Sequence, residues 1–517
     1  MRALKLRCAK QYYPSTKECI KSPLSCLNNC NKRGTCVSGF CHCRPGHYGA
    51  DCSLSLGPDG KPVLLAGSGY TTRAKRPWVY VYELPPALLT WTNTKRLDRS
   101  THLHFYQRLL SSGARVADGD LADWYFIPIR QRQASDSDFL ADAVEYVRHA
   151  YPWWNKTNGE RHFIIHTGDL GTDELQFASR YAAANVTWLT RRGDPGIPNP
   201  GHFKHFGLEH TPLHPLVEKK QRNTTFFFAG RICGDRQIPR NGVWPNCGPR
   251  SRGYSAGVRQ YVHYHHWNRT GFRVVTHEPR YGAALASSRF CLAPLGGGHG
   301  QRQIIVSAMG CVPVSIADDV FEPFEPQIDW TRFALRPKEA DIPRLHELIA
   351  AITPAQYAEM QTRLRCAAQH FFYSSIVGGL FGEDGRYDAF ESTLEVLRVK
   401  ALHPTAPPQD YRRLDPDFDA FMDCRDPPGF KVSGPAPDQY NLLSGKGSSA
   451  AAARKAAGGQ QGGAQAENPL CSHNIMDRGR LPCERFVQGS SKTHGLQGGV
   501  VCARTRPHLA SCPRIWL

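Results

Sequence analysis

The sequence predicts an α/β protein made of two consecutive units, each a parallel sheet covered by helices, with a small disulfide-rich module in front. Three observations predict it. Eight of the 18 cysteines fall within the first 52 residues. From Arg76 onward, short β-rich apolar runs alternate with helical patterns. The alternation starts afresh at Thr225, after a Pro- and Gly-rich stretch from Gly193 to Lys220.

Taken from the N-terminus, Cys26, Cys30, Cys36, Cys41, Cys43 and Cys52 follow a C-x3-C-x5-C-x4-C-x-C-x8-C spacing, with Gly34, Gly46 and Gly49 between them. A segment this short buries too little apolar surface to fold unaided, so cross-links must restrict its unfolded state. Zinc is the competing use of such cysteines, but no matching His pair accompanies them. The spacing and the glycines resemble an EGF-like domain. That resemblance implies the pairs Cys26–Cys36, Cys30–Cys41 and Cys43–Cys52, and leaves Cys8 to pair with Cys19. Residues 54–75, rich in Gly, Ser and Pro, read as a linker.

In the first unit the expected strands are Trp78–Glu83, Trp124–Ile129 and His162–His166, and the expected helices His102–Leu110 and Asp138–Tyr151. In the second, strands at Phe226–Ala229, Phe272–Thr276, Arg289–Ala293 and Cys311–Ile316 alternate with helices at Ser255–Trp267 and Gln301–Met309. Helical sequence from Ala340 to Leu397 closes the region. The expected domains are a cysteine-rich region 1–53 containing the module 26–52, α/β units at 76–215 and 216–400, and an extension 401–433. A Gly/Ala/Gln low-complexity linker at 434–468 and a cysteine-containing tail at 469–517 follow.

Lys and Arg total 64 against 45 Asp and Glu, a net charge of +19, which favours anionic partners. The basic residues are scattered and form no aromatic–basic stripe, which argues against nucleic acid. The cysteines point to an oxidising compartment, and Asn-x-Thr triplets at Asn155, Asn185, Asn223 and Asn268 agree with it. No stretch approaches the ~20 apolar residues of a membrane span, and residues 1–10 lack a signal peptide's apolar core. The expectation is therefore a protein of the secretory pathway whose signal anchor lies upstream of this sequence.

The chemistry concentrates in SRFCLAPLGGGHGQR, Ser288 to Arg302, which continues through MGCVPV to Val314. It reads as a strand, a glycine-rich loop and a helix start. Glycines let a backbone approach a ligand closely, helix N–H groups attract phosphate, and Arg302 adds a charged fork. The bland alternative is a loop that merely turns.

This stretch is similar to the exostosin signature, in which S-x-F-C-L-x-P precedes a glycine-containing loop, an arginine and a G-C-x-P-V strand. Further matches occur in the same order: RPWVYVYELP from Arg76, ADWYFIP from Ala122, Arg161 to Phe163 leading to Gly168 and Asp169, FFAGR ending at Arg231, Val258-Arg259, and Asp329-Trp330. From about Arg76 to Leu397 the chain resembles an exostosin-like glycosyltransferase of family 47. The resemblance implies a GT-B arrangement of two Rossmann-like domains, with the nucleotide-sugar in the C-terminal one. It also implies inverting transfer of a sugar from a nucleoside diphosphate, UDP foremost, onto a glycan or glycoprotein acceptor, by a type II membrane protein of the Golgi lumen, with no cofactor or obligatory metal expected. Arg231, Arg259, Ser288, Gly296, Gly297, Gly298 and Arg302 would then hold the donor. Inversion needs a base for the acceptor hydroxyl. Asp169 is the first candidate, with Glu83 and His166 as rivals.

One position departs from the pattern. Where the family carries an acidic residue three positions after the loop arginine, this chain has Ile305. That favours a second reading, a lumenal or extracellular carbohydrate-binding or adhesion protein that has lost activity. The three arginines argue for a working donor site. Asp118-Gly-Asp120, Asp136-Ser-Asp138 and the run Asp415 to Asp419 fit the short acidic motif of metal-dependent transferases, but none follows a strand as such a site requires. His263, His265 and His266 cluster in helical sequence and read as core or solvent-facing. Whether the protein works alone or as a homo- or hetero-oligomer the sequence leaves open.

Overall fold

The computed structural model describes residues 11–13, 18–20, 26–37, 39–88, 101–129, 131, 138–168, 175–190, 208–219, 221–235, 237–243, 254–296, 301–374 and 379–426. Cys8, Asp169, Gly297, Gly298 and everything from residue 427 onward, including the low-complexity linker and the tail, lie outside them.

The N-terminal module has the expected disulfides Cys26–Cys36, Cys30–Cys41 and Cys43–Cys52. Strands Gly34–Val37 and Phe40–Cys43 pair antiparallel. Gly34 is glycine for want of space: a Cβ there would lie 2.6 Å from the His42 carbonyl oxygen and 2.8 Å from Cys52 Sγ. The stretch read as a linker is ordered instead. Leu54–Leu56 and Pro62–Leu64 form an antiparallel sheet with His47–Tyr48. Gly, Ser and Pro suit tight turns between short strands as well as they suit linkers.

The first α/β unit holds β1 (Val79–Val81), α1 (Thr101–Ser111), β2 (Arg115–Val116), β3 (Trp124–Phe126), α2 (Asp138–Ala150), β4 (His162–His166), α3 (Phe177–Ala182) and β5 (Thr187–Thr190). Its five strands are all parallel, in the order β5-β4-β3-β1-β2. The edge strands β2 and β5 and the helix α3 were not foreseen. A two-residue strand and a six-residue helix carry too little periodicity to be read from sequence.

The second unit holds β6 (Thr224–Ala229), α4 (Val258–His266), β7 (Phe272–Val275), α5 (Tyr281–Ala286), β8 (Ser288–Leu292), α6 (Arg302–Ala308) and β9 (Val312–Val314). These strands too are all parallel, in the order β7-β6-β8-β9. Phe226, Phe227, Phe228, Phe290, Leu292 and Val312 are all buried. Parallel strands covered on both faces need such continuous apolar runs rather than alternation. A disulfide between Cys291 on β8 and Cys311 just before β9 closes the segment that contains the glycine-rich loop and α6.

Helix α7 (Pro354–His370) packs on the second core. Helix α8 (Ala389–Leu402) lies between the two cores: Val396 and Val399 belong to the second, and Ala389, Phe390, Leu394 and Leu397 to that of the first unit. Leu397 also accepts a 2.8 Å hydrogen bond from Trp124 Nε1 on β3. The chain thus returns to the first core within residues 216–400. Helix α9 (Pro416–Met422) then packs on the second core, and Cys424 is joined to Cys366 of α7.

Candidate active site

In a parallel sheet all strands end on the same side, so the residues following β6 and β8 are brought together, and α6 starts beside them. Arg302, the first residue of α6, donates from Nη1 to the Ala229 carbonyl oxygen at the end of β6, at 2.7 Å, and to the Tyr281 hydroxyl. Its guanidinium lies 4.9 Å from the Phe228 ring centre. Gly230 makes this approach possible: a Cβ at that position, where φ is 153°, would sit 2.7 Å from Arg302 Nη2.

Arg259, near the start of α4, is buried. It donates to the Leu295 carbonyl from Nε and Nη2 at 2.9 and 2.6 Å, and from Nη1 to the Arg231 carbonyl at 2.9 Å and the Tyr254 hydroxyl at 3.0 Å. Burial pulls its pKa down to about 10, the Tyr254 and Tyr281 phenols oppose that, and Arg302 and Arg231 add to it. Arg231 is exposed and lies 5.7 Å from the Tyr254 ring. Among the described residues no carboxylate pairs with any of the three guanidiniums, whose hydrogen bonds all go to carbonyl and phenol oxygens. Three cations held by neutral acceptors form a place for an anion.

Gly296 belongs to the same end of the sheet, where its carbonyl accepts from Ser255 N at 2.7 Å. Ser288 does not. It opens β8, pairs with Thr224 at the opposite end of β6, and spends its buried hydroxyl on the Ala284 carbonyl at 2.6 Å. A strand advances about 3.3 Å per residue, so the residues from Ser288 to Leu292 separate it from the cluster by the strand's full length. Ile305 packs in the second core, so this position presents apolar surface to the interior.

The rivals for the base have other duties. Glu83 is ion-paired with Arg115 at 3.1 Å and accepts from Ala50 N of the module at 2.7 Å. His166 ends β4, fully buried, with Nδ1 accepting from Gly168 N at 3.1 Å. The acidic motifs serve locally too. Asp118 caps a turn through Asp120 N, Asp120 pairs with Lys156, and Asp415 caps α9 and pairs with Arg398. His266 is buried with Nε2 against the Ile342 carbonyl.

Tyr254 and Tyr281, which orient Arg259 and Arg302, escaped the sequence reading. Neither lies in the glycine-rich stretch, and a tyrosine before a short helix gives no signal of what its hydroxyl will touch.

Two parallel α/β units, the second with a cluster of three guanidiniums at the carboxyl ends of its strands, have the make-up of a glycosyltransferase of the GT-B arrangement. The Exostosin GT47 domain family matches residues 73–352, more than half of the chain, and the chain belongs to that family. Residues 26–52 match the EGF-like domain. The chain is similar to the probable glucuronosyltransferase GUT1 of Oryza sativa subsp. japonica, 25% identical over 355 residues, covering 63% of this chain and 81% of that protein. It is similar also to the probable beta-1,4-xylosyltransferase IRX10L of Arabidopsis thaliana, 24% identical over 359 residues, 63% of this chain and 82% of that one. The protein is thus a glycosyltransferase with an EGF-like module. Among the described residues no helix is long and apolar enough to cross a membrane.

Proposed function

We propose that this glycosyltransferase moves a sugar from a nucleoside diphosphate donor, UDP foremost, onto a glycan or glycoprotein acceptor with inversion at the anomeric carbon. The observation that carries the reading is the convergence of Arg231, Arg259 and Arg302 with no carboxylate partner among the described residues. A diphosphate supplies the missing negative charge, and more of it develops on the leaving group as the glycosidic bond breaks, so the same cations favour the transition state. Gly296 to Gly298 would bring backbone to the same group. Asp169, two residues after Thr167 and outside the described residues, is the base of this reading. The relatives named as glucuronosyl- and xylosyltransferases make uronic acid and pentose donors the first to try. The disulfides fit a secretory lumen, and the Golgi is the compartment we assign.

The test is calorimetry and thermal shift of the disulfide-intact protein against UDP, GDP and their sugars, beside Arg302→Ala. One nucleotide should bind selectively, and Arg302→Ala should weaken it roughly tenfold or more, the loss of a charge-assisted bond of about 1.5–3 kcal/mol. Unchanged affinity in a folded variant sinks the assignment, and absence of nucleotide binding in the parent protein favours the inactive carbohydrate-binding reading. With the donor known, Asp169→Asn should lower kcat by roughly 10²–10⁴ while nucleotide affinity holds. A variant with undiminished kcat would remove Asp169 from the role.

A further inference from the structure

The Asn-x-Thr triplets are unused by the transferase chemistry, and two of them meet in the fold. Asn223-Thr224-Thr225 leads into β6 and Asn268-Arg269-Thr270 leads into β7, and the two strands are neighbours, with Thr225 N donating to the Gly271 carbonyl at 3.0 Å. Both triplets lie at the amino ends of the sheet, opposite the guanidinium cluster. Between them and the helix Leu345–Ala350 opens a cavity of about 610 Å³, whose lining includes Thr225, Asn268, Thr270, Phe272, Arg289 and His346.

We propose that Asn268 is an N-glycosylation site and that the innermost sugar of its glycan occupies this cavity. Asn268 is exposed on the turn that leaves α4, where its amide is free of the helix. Asn155 differs, since it sits inside the short helix Trp153–Thr157, and residues two apart on a helix face different sides. Asn185 spends its Nδ2 on the Asn158 carbonyl at 3.1 Å. The cavity suits an amphipathic occupant. Phe272 gives an aromatic wall, and the Arg289 guanidinium, steadied 4.6 Å from the Tyr357 ring centre, offers donors for sugar hydroxyl and N-acetyl oxygens. Its volume lies within the range of pockets that take a small ligand. The disulfide-bonded chain belongs to a compartment where the modification occurs.

In the modification the Asn268 Nδ2–C1 bond forms as the C1–O bond to the diphosphate of a lipid-linked oligosaccharide breaks. One Nδ2 proton is released, and the lipid diphosphate departs. The inference is independent of the donor reading, because the cavity and the guanidinium cluster lie at opposite ends of the sheet.

The experiment uses the full chain secreted from eukaryotic cells. Glycopeptide mass spectrometry should find Asn268 occupied. Thermal denaturation is then compared for the native glycoprotein, for protein trimmed to a single N-acetylglucosamine, and for Asn268→Gln. Trimming should leave the melting temperature unchanged, since the innermost sugar stays in the cavity, whereas Asn268→Gln should lower it by roughly 1–3 °C. Asn185→Gln, which alters a triplet away from the cavity, should cause no such fall. An unmodified Asn268 peptide overturns the proposal outright. An occupied Asn268 with equal melting temperatures in all forms overturns the placement of its sugars in the cavity.

Discussion

Arg115 and Arg259 are both buried guanidiniums, 1% and 6% exposed, yet their surroundings differ in kind. Arg115, on β2 of the first unit, faces Glu83 at 3.1 Å and Asp51 of the EGF-like module at 3.6 Å, and donates to Ser53 Oγ at 2.7 Å. Asp51 in turn accepts from Asn28 and Asn31, so its charge is fully engaged within the protein. Among the described residues Arg259 hydrogen-bonds only to carbonyl and phenol oxygens, and its other charged neighbours are arginines. A buried cation is costly without a counter-charge. The first region carries its own counter-charges and so is finished as folded. Among the described residues the second has no such carboxylate, and the diphosphate we propose would supply the missing charge. Arg222 sharpens the distinction, since among the described residues it too donates to carbonyls, those of Leu285, Ser288 and Met309, yet it lies at the other end of the sheet, away from the cluster. Convergence, not the absence of a carboxylate by itself, marks the site.

The comparison breaks most visibly at Arg115. Arg115→Met leaves Asp51 and Glu83 buried without their cation and should cost about 3–5 kcal/mol of stability in urea unfolding. A loss below about 1 kcal/mol would mean that the module is not held by this network. Arg259→Met should do the reverse. Relief of burying a cation offsets the lost hydrogen bonds, so stability should stay within about 1 kcal/mol while nucleotide affinity falls roughly tenfold or more. Equal destabilisation of both variants would erase the distinction. The smallest expected effect is at Tyr281. Tyr281→Phe removes one hydrogen bond to Arg302, about 0.5–1.5 kcal/mol, and should raise the donor KM roughly two- to tenfold with little change in kcat. A fall in kcat at constant KM would give Tyr281 a different part.

The same contrast explains what the sequence could tell. The module was legible because disulfide spacing is a local pattern, and its three pairs are those the resemblance implied. The central strands were legible because parallel strands are continuously apolar, as in β4 and β6. Arg231, Arg259 and Arg302 were legible through the family pattern, and the fold brings them together. Ser288 shows the limit of that pattern: a residue can belong to a signature because it begins a strand, and then it lies at the opposite end of that strand from the arginine cluster. Arg115 went unremarked altogether, since its partner Asp51 belongs to a module 64 positions earlier in the chain.

By itself, then, the sequence determined the two α/β units, the disulfide module and the family to which the catalytic region belongs. These rest on periodicity, spacing and ordered motifs, which are properties of neighbours along the chain. Only the tertiary structure decided that residues 54–64 complete the module's sheet, that α8 returns to the first core, and that Cys291 joins Cys311. It also decided that three arginines share one sheet end with two tyrosines to hold them. Such facts depend on which strand ends lie side by side, and strand order is set by packing between segments far apart in the chain.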